Sequence, residues 1–238
     1  MKITYFITGI GLSGGPMILY NFMNGLVKKG HEVFVVTLND SFQWDFNTYK
    51  KYVNKKYPEK EWQLFYYKII YYLNKLLKMC GFQKKFGKDK IVSITERLVK
   101  NYNKLGAESD VFIATYPYTA NAACELGYGK KVVLHNQHFE ELMFPDERTR
   151  AGIQMLTRMV PNHIVNCLWL DKMFQYNYGI QGKVITTGMD HTIFNGVLSP
   201  KKYLDAKKIK LITYCDVNRK FKGLPQQVSI LAKLYEKK

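Results

Sequence analysis

Short apolar runs alternate along the chain with stretches in which apolar residues recur at helical spacing. Residues 2–8, KITYFIT, are β-branched and aromatic, which is the composition of a buried central strand. In residues 17–29, apolar side chains such as Ile18 and Phe22 lie four positions apart, which predicts an amphipathic helix. Gly30 is the expected left-handed cap of this helix, and HEVFVVTL predicts a second buried strand. The start of the chain therefore predicts a β-α-β unit with two parallel strands.

The same alternation resumes after residue 107. Strands are predicted at 110–115, 130–137, 162–168 and 183–188, and helices at 119–127, 146–159 and 169–178. Strands that alternate with helices form an open parallel sheet covered on both faces. The sequence therefore predicts an α/β fold with a Rossmann-like parallel sheet and helices on both faces.

Residues 41–106 interrupt this alternation. Within them, residues 62–80 (WQLFYYKIIYYLNKLLKMC) predict an aromatic-rich helix with an apolar stripe and lysines away from its centre. Such a helix either packs on its own domain or docks in the interface of a membrane. Both interpretations stay open at this point.

A polar stretch with Gly, Ser and Pro at about 195–208 predicts a linker. Beyond it, the sequence predicts one strand at 210–215 and one helix from 224 onwards, which cannot bury a core by themselves. We therefore expect a first domain at 1–195 with a basic helical insertion at 41–106, a linker at 196–208, and the truncated start of a second domain at 209–238.

Charge points to anionic partners. The 238 residues carry a net charge of +17, from 36 basic and 19 acidic side chains. Residues 50–104 hold 15 of the basic and 4 of the acidic ones, so +11 of the charge lies there. This favours an anionic membrane surface, a nucleic acid or a phosphate-bearing substrate as partner. Codon bias toward Lys, Asn and Tyr is the alternative explanation.

The cysteines and the apolar runs bear on the compartment. Four cysteines occur singly, at 80, 124, 167 and 215, which favours reduced thiols over a disulfide framework or a zinc site. No run of 18 apolar residues occurs, and glycines follow the first apolar run too soon for a signal peptide. We expect a cytoplasmic protein whose basic charge is compatible with a peripheral position at the inner face of the membrane.

A glycine-rich loop follows the first predicted strand. Gly9, Gly11 and Gly14 match the pattern G-x-G-x-x-G between a strand and a helix, where backbone N–H groups and the helix dipole can hold a phosphate. Pro16 at the first helical position predicts a longer loop than a dinucleotide site uses. Asp40 is the remaining candidate for a ribose-binding acid, and it lies off the end of the strand. Glycines that merely permit a tight connection are a further interpretation.

Polar residues also cluster at the end of the strand predicted at 130–137. His135, Gln137, His138, Glu140 and Glu141 lie there, and ligands of open α/β sheets bind beyond the carboxyl ends of the strands. His135 and His138 are three positions apart, so in an extended segment they point to opposite faces and suit a metal poorly. We expect a ligand site without a metal, in which one of the two histidines is functional.

The order of motifs resembles family 4 glycosyltransferases of the GT-B fold. The opening Gly14-Gly15-Pro16-Met17, followed by KKGHEV at 28–33, is similar to the "GGAE…kkGHeV" of that family. Residues 137–140, QHFE, are similar to a variant seen in rhamnosyltransferase-like members. Further matches are Asn166, Trp169, Tyr178-Gly179, Val184-Ile185, Gly188-Met189-Asp190 and Phe194. Tyr214 to Gly223, with the helix after them, look like the start of the donor-binding domain.

This resemblance implies a transferase with two Rossmann-like domains facing each other across a cleft. The first would bind a glycan or lipid-linked acceptor and the second a nucleotide sugar. Transfer of a hexosyl or deoxyhexosyl group would be retaining and independent of metal ions. No cofactor is implied, since the nucleotide sugar is a substrate, and no nucleic acid is expected as a partner.

The resemblance also assigns roles to individual residues. Gly11, Gly14, Gly15, Gln137, Glu140 and Asp190 would contribute to substrate binding. His138 would be catalytic, beside the transferred sugar, where it stabilises developing charge. Arg219 and Lys222 would face the donor diphosphate.

The sequence departs from the family at three places. Cys215-Asp216 replaces the usual Gly-Arg after the first donor-domain strand, Pro16-Met17 replaces the acidic "AE", and the later glutamate pair is absent. The 238-residue chain alone is therefore expected to transfer no sugar unless a C-terminal domain or a partner chain is supplied. Two other functions stay open: a NAD-binding oxidoreductase that uses Gly9, Gly11 and Gly14, and a non-catalytic module that binds polyanions or membranes through residues 50–104.

Overall fold

The computed structural model describes residues 1–11, 14–39, 41–49, 88–144, 146–188 and 223–236. The chain divides into two compact units, Met1–Thr186 and Thr187–Lys238. The predicted helix at 62–80, the predicted linker and most of the predicted second domain lie outside the described residues.

The first unit is built on a sheet of seven strands. These are β1 (Lys2–Phe6), β2 (Glu32–Val36), β3 (Ser41–Trp44), β4 (Val111–Ala114), β5 (Lys131–Asn136), β6 (Asn162–Val165) and β7 (Lys183–Val184). Their order in the sheet is β3-β2-β1-β4-β5-β6-β7, and every pair is parallel except β2 with β3. The predicted α/β class with a mostly parallel, Rossmann-like sheet is confirmed.

Helices connect the strands. They are α1 (Gly14–Lys28), α2 (Lys88–Leu105), α3 (Pro117–Leu126), α4 (Glu147–Arg158), α5 (Leu168–Tyr178) and, in the second unit, α6 (Leu224–Glu236). A short 3-10 helix, Glu140–Met143, follows β5. Gly30 adopts the left-handed backbone predicted for a helix cap, with φ of 83°, and Gly179 at the end of α5 does so too, with φ of 68°. None of the described helices is long and apolar enough to cross a membrane.

Alternate residues of β1 enter two different cores, as strand geometry requires. Ile3 and Tyr5 pack with Leu19, Tyr20 and Met23 of α1 on one face of the sheet. Phe6, on the other face, belongs to a core that also holds Ile94 and Leu98 of α2 and three buried alanines of α3. Since both faces are covered by apolar helix surfaces, the strands read as continuous apolar runs in the sequence.

Two parts of the segment 41–106 belong to this sheet domain. Strand β3 extends the sheet antiparallel to β2, with Trp44 opposite Val33. The indole of Trp44 is buried, stacks on Tyr20 with ring centroids 5.1 Å apart, and donates to Asn24 Oδ1 at 2.7 Å. Helix α2 contributes the buried side chains Ile94 and Leu98 to the core.

Helix α1 begins earlier than its proline predicted. Gly14 and Gly15 lie in its first turn, whereas the sequence placed its start after Gly15. Proline fits anywhere in the first turn, because the N–H groups there have no partner inside the helix. The two glycines are therefore part of a helix N-terminus rather than of the loop before it.

Candidate functional site

The loops after β1, β4, β5 and β6 leave the sheet at one edge, because these strands are parallel. The chain runs from β1 to β2 on one side and from β4 through β5 to β6 on the other. A reversal of this kind between neighbouring strands opens a crevice at their carboxyl ends, where ligands of such sheets bind. The candidate site lies at this edge, between the start of α1 and the loops after β4 and β5.

The glycines between β1 and the first turn of α1 are not required by the backbone or by internal packing. None of Gly9, Gly11 and Gly14 has a positive φ, and a Cβ atom added to any of them would meet no atom of the described residues within 4 Å. The interpretation that they merely permit a tight connection therefore has no support at these three positions. What they do provide is open backbone that a ligand can approach.

Gly15 and Gln137 come together although 122 positions separate them in the sequence. A Cβ atom on Gly15 would lie 3.1 Å from the side-chain oxygen of Gln137. Asn166, at the end of β6, donates to the backbone carbonyl of Gln137 at 3.0 Å and fixes this loop. Two of the predicted substrate-binding residues thus meet at the N-terminus of α1, where backbone N–H groups favour an anion.

Of the two histidines near the end of β5, His138 occupies the predicted edge and His135 does not. His138 is exposed in the same loop as Gln137 and Glu140. His135 is only 1% exposed and lies inside the strand, with its ring edge-to-face against Phe22 at 4.7 Å. The expectation that His135 lies among the ligand-facing groups is wrong, because α1 covers it.

Burial sets the protonation state of His135. Neither ring nitrogen has a hydrogen-bond partner within the described part of the chain, and burial lowers the pKa of the imidazole to about 4. The neighbouring buried histidine, His163, differs, since Nε2 donates to the Val160 carbonyl at 2.8 Å and Nδ1 accepts from Asn136 Nδ2 at 3.0 Å. His163 is a satisfied structural residue, whereas His135 is an unsatisfied polar group in the core.

Among the carboxyl groups at this edge, that of Glu140 has the pKa that is shifted furthest from its usual value. Its oxygen Oε2 is shut off from solvent and has no hydrogen-bond partner in the described structure. Burial raises the pKa of Glu140 to about 7, and the nearby Tyr116 hydroxyl opposes this rise. A carboxyl group of this kind can accept or donate a proton near neutral pH.

Tyr116 and Tyr118 also lie at this edge, and neither was among the residues predicted for the site. They follow β4 directly, and their ring centroids are 5.2 Å apart with planes inclined by 50°. Burial and then the nearby Asp146 and Glu140 carboxylates raise the pKa of Tyr118. Ligands of open α/β sheets bind beyond the carboxyl ends of the strands, and this applies to β4 as well as to β5. The residues YPY that follow the strand predicted at 110–115 could therefore have identified these tyrosines.

A buried threonine fixes the tyrosine loop. Thr119 is fully buried, and its hydroxyl accepts from the backbone N–H groups of Thr115 and Tyr116 at 3.1 and 3.3 Å. The same hydroxyl donates to the Tyr116 carbonyl at 2.8 Å. These three bonds hold the backbone from which the tyrosine ring projects.

Several predicted features cannot be placed. Asp190, Arg219 and Lys222 lie outside the described residues, as do Asp40, Cys80 and Cys215. Cys124 and Cys167 are free thiols. Across the described ranges, no group of three or more His, Cys, Asp or Glu side chains could hold a metal ion.

Comparison with models of protein families gives no match, and comparison with curated protein sequences gives none either.

Proposed function

We propose that this chain is the acceptor-binding side of a nucleotide-sugar-dependent glycosyltransferase. The observation that carries the proposal is the meeting of Gly15, at the N-terminus of α1, with Gln137, in the loop that leads to Glu140, at the carboxyl edge of the sheet. These three are among the six residues that the resemblance assigned to the substrate, and they come from two distant motifs.

One side of the edge suits an anion and the other side suits hydroxyl groups. The free N–H groups at the start of α1, with the open glycines before it, would favour a phosphate. The amide of Gln137 and the carboxyl of Glu140 would bind sugar hydroxyl groups as donor and acceptors. Exposed His138 lies in the same loop and would stabilise charge on the departing phosphate.

The donor side of the reaction rests on the resemblance. Arg219 and Lys222 would offset the charge of the donor diphosphate from a second domain. Cytoplasmic location, a lipid-linked acceptor at the membrane face, and metal-independent retaining transfer are parts of the same proposal.

A panel of ligand classes tests the proposal on the 238-residue chain. Neutral oligosaccharides, NAD⁺ and heparin are offered one at a time, and binding is measured by saturation-transfer NMR at 50 and 300 mM salt. We expect oligosaccharide binding that changes little with salt, because the contacts are hydrogen bonds rather than ion pairs, and no binding of NAD⁺. Binding of NAD⁺ alone, or of heparin alone with a steep loss in salt, would contradict the proposal.

A glycine pair provides the matched variants. Gly15→Ala places a methyl group against the Gln137 side chain and should weaken oligosaccharide binding several-fold. Gly25→Ala changes the same helix at a position where a Cβ atom meets nothing within 4 Å, and should leave binding unchanged. Equal effects of the two substitutions would place the sugar away from the start of α1.

A further inference from the structure

We propose that Tyr116, Tyr118 and Glu140 form a subsite for a neutral sugar ring. This inference rests on the proposed function, because the reaction of the bound sugar is the proposed transfer. It specifies the acceptor as a glycan whose terminal sugar carries no phosphate where it contacts the subsite. The three residues come from two loops, after β4 and after β5, which are adjacent strands of the sheet.

The Glu140 carboxyl group supplies the polar half of the subsite. Its Oε2 is buried without a hydrogen-bond partner among the described residues, and the Tyr116 hydroxyl lies close enough to the carboxyl group to lower its pKa. Such groups are rare in folded proteins because burial removes the water that would otherwise bind them. A ligand hydroxyl that donates to Oε2 would restore the missing hydrogen bond.

The two tyrosine rings supply the apolar half. Both are partly accessible, and their inclined planes, 5.2 Å apart, form an aromatic corner next to the carboxyl group. A pyranose has an apolar C–H face and a rim of hydroxyl groups, so it can pack on a ring and donate to a carboxyl oxygen at once. Pockets that combine aromatic walls with a few placed polar groups are typical small-molecule sites.

Electrostatics argue against an anion in this subsite. The Asp146 and Glu140 carboxylates both raise the pKa of Tyr118, so two acidic groups lie near the aromatic corner. This is an acidic place on a protein whose net charge is +17. A phosphate would be repelled here, and its favourable position is at the N-terminus of α1 instead.

The subsite is held in place before any ligand binds. Thr119 fixes the backbone of Tyr116, in the loop after β4, through three hydrogen bonds.

The loop after β5 is anchored on both sides of Glu140. Phe139, the residue before Glu140, is buried against Phe174 and Tyr178 of α5. Glu141, the residue after it, accepts from Gln154 of α4 at 2.7 Å. Anchoring on both sides lowers the entropy that ligand binding would cost.

The test measures binding of methyl glycosides to the 238-residue chain by saturation-transfer NMR titration. Glu140→Gln replaces the acceptor at Oε2 with an amide donor, and Tyr118→Ala removes one wall of the corner. Each should weaken the binding of the preferred glycoside about tenfold, which is the size expected for one charge-assisted hydrogen bond or one aromatic wall. Thermal unfolding of each variant checks that the fold is retained, and Glu140→Gln keeps the test valid if Tyr118→Ala does not fold.

Two substitutions at the opposite edge of the sheet serve as controls. Tyr128, which is 93% exposed after α3, and Glu108, which is exposed before β4, are changed to alanine and glutamine. Both controls should bind the glycoside like the unchanged protein.

Two results would overturn the subsite. Glycoside binding that survives both Glu140→Gln and Tyr118→Ala would place the sugar elsewhere. Binding of tetramethylammonium, but of no glycoside, would show a cation site instead. Sugar transfer by the native gene product is measured in the same variants, so that a failed subsite with intact transfer is distinguished from a failure of the proposed function itself.

Discussion

Replacing His135 by leucine should stabilise the protein, and the gain should grow as the pH falls from 7 to 5. The imidazole is buried and neither nitrogen is bonded to a residue that the structure describes, so it costs free energy at every pH. Its folded pKa of about 4 lies below the value near 6.5 in the unfolded chain. Between these two values the unfolded chain binds more protons, so the stability of the unchanged protein falls as the pH falls.

Leucine removes both effects because it is apolar and does not titrate. We expect an increase in the free energy of unfolding of about 1–3 kcal/mol at pH 7, and about 2 kcal/mol more at pH 5. Urea unfolding followed by circular dichroism at the two pH values measures both quantities.

His163→Leu is the matched control and should destabilise the protein, because it removes hydrogen-bond partners from Asn136 and Val160. Destabilisation by His135→Leu at both pH values would mean that a partner satisfies the ring.

Gly127→Ala should lower the free energy of unfolding by about 3 kcal/mol, the upper part of the range for overpacking a core. The added Cβ atom would lie 2.5 Å from Val132 Cγ2 and 2.6 Å from the backbone oxygen of Ala123. The backbone oxygen cannot move away easily, because Gly127 N–H donates to it at 2.9 Å. The same unfolding experiment at pH 7 measures the change.

Gly152→Ala provides the control, and it should have the opposite sign. Gly152 lies within α4, and a Cβ atom there would meet nothing within 4 Å. Alanine in a helix interior should therefore stabilise by about 0.5–1 kcal/mol. A neutral Gly127→Ala would mean that the turn between α3 and β5 can shift to make room.

Hydrophobic patterning predicted most of the sheet because a buried parallel strand is a continuous apolar run. It did not predict β3, whose four residues, SFQW, form a short antiparallel edge strand with one buried side chain. Pairing with β2 and the stacking of Trp44 on Tyr20 stabilise this strand, and both contacts are distant in sequence. Tertiary contacts of this kind leave no local pattern to detect.

The site was predictable to the extent that topology determines it. The rule that ligands bind at the carboxyl ends of parallel strands was enough to select Gln137 and Glu140. It was not enough to separate His135 from His138, because the end of a strand is uncertain by a few residues in sequence and α1 covers only the first of the two. The burial of Glu140 beside Tyr116 also depends on the neighbouring loop, so its raised pKa could not be foreseen from residues 137–140.

Sugar transfer by the protein made from its native gene tests the central claim most directly. The protein is incubated with radiolabelled nucleotide sugars, neutral glycan acceptors and a chelator, and labelled product is separated from donor. We predict transfer to a glycan from at least one donor, unchanged by the chelator, and strongly reduced by His138→Ala. No transfer from any nucleotide sugar, or a rate that His138→Ala leaves unchanged, would contradict the account.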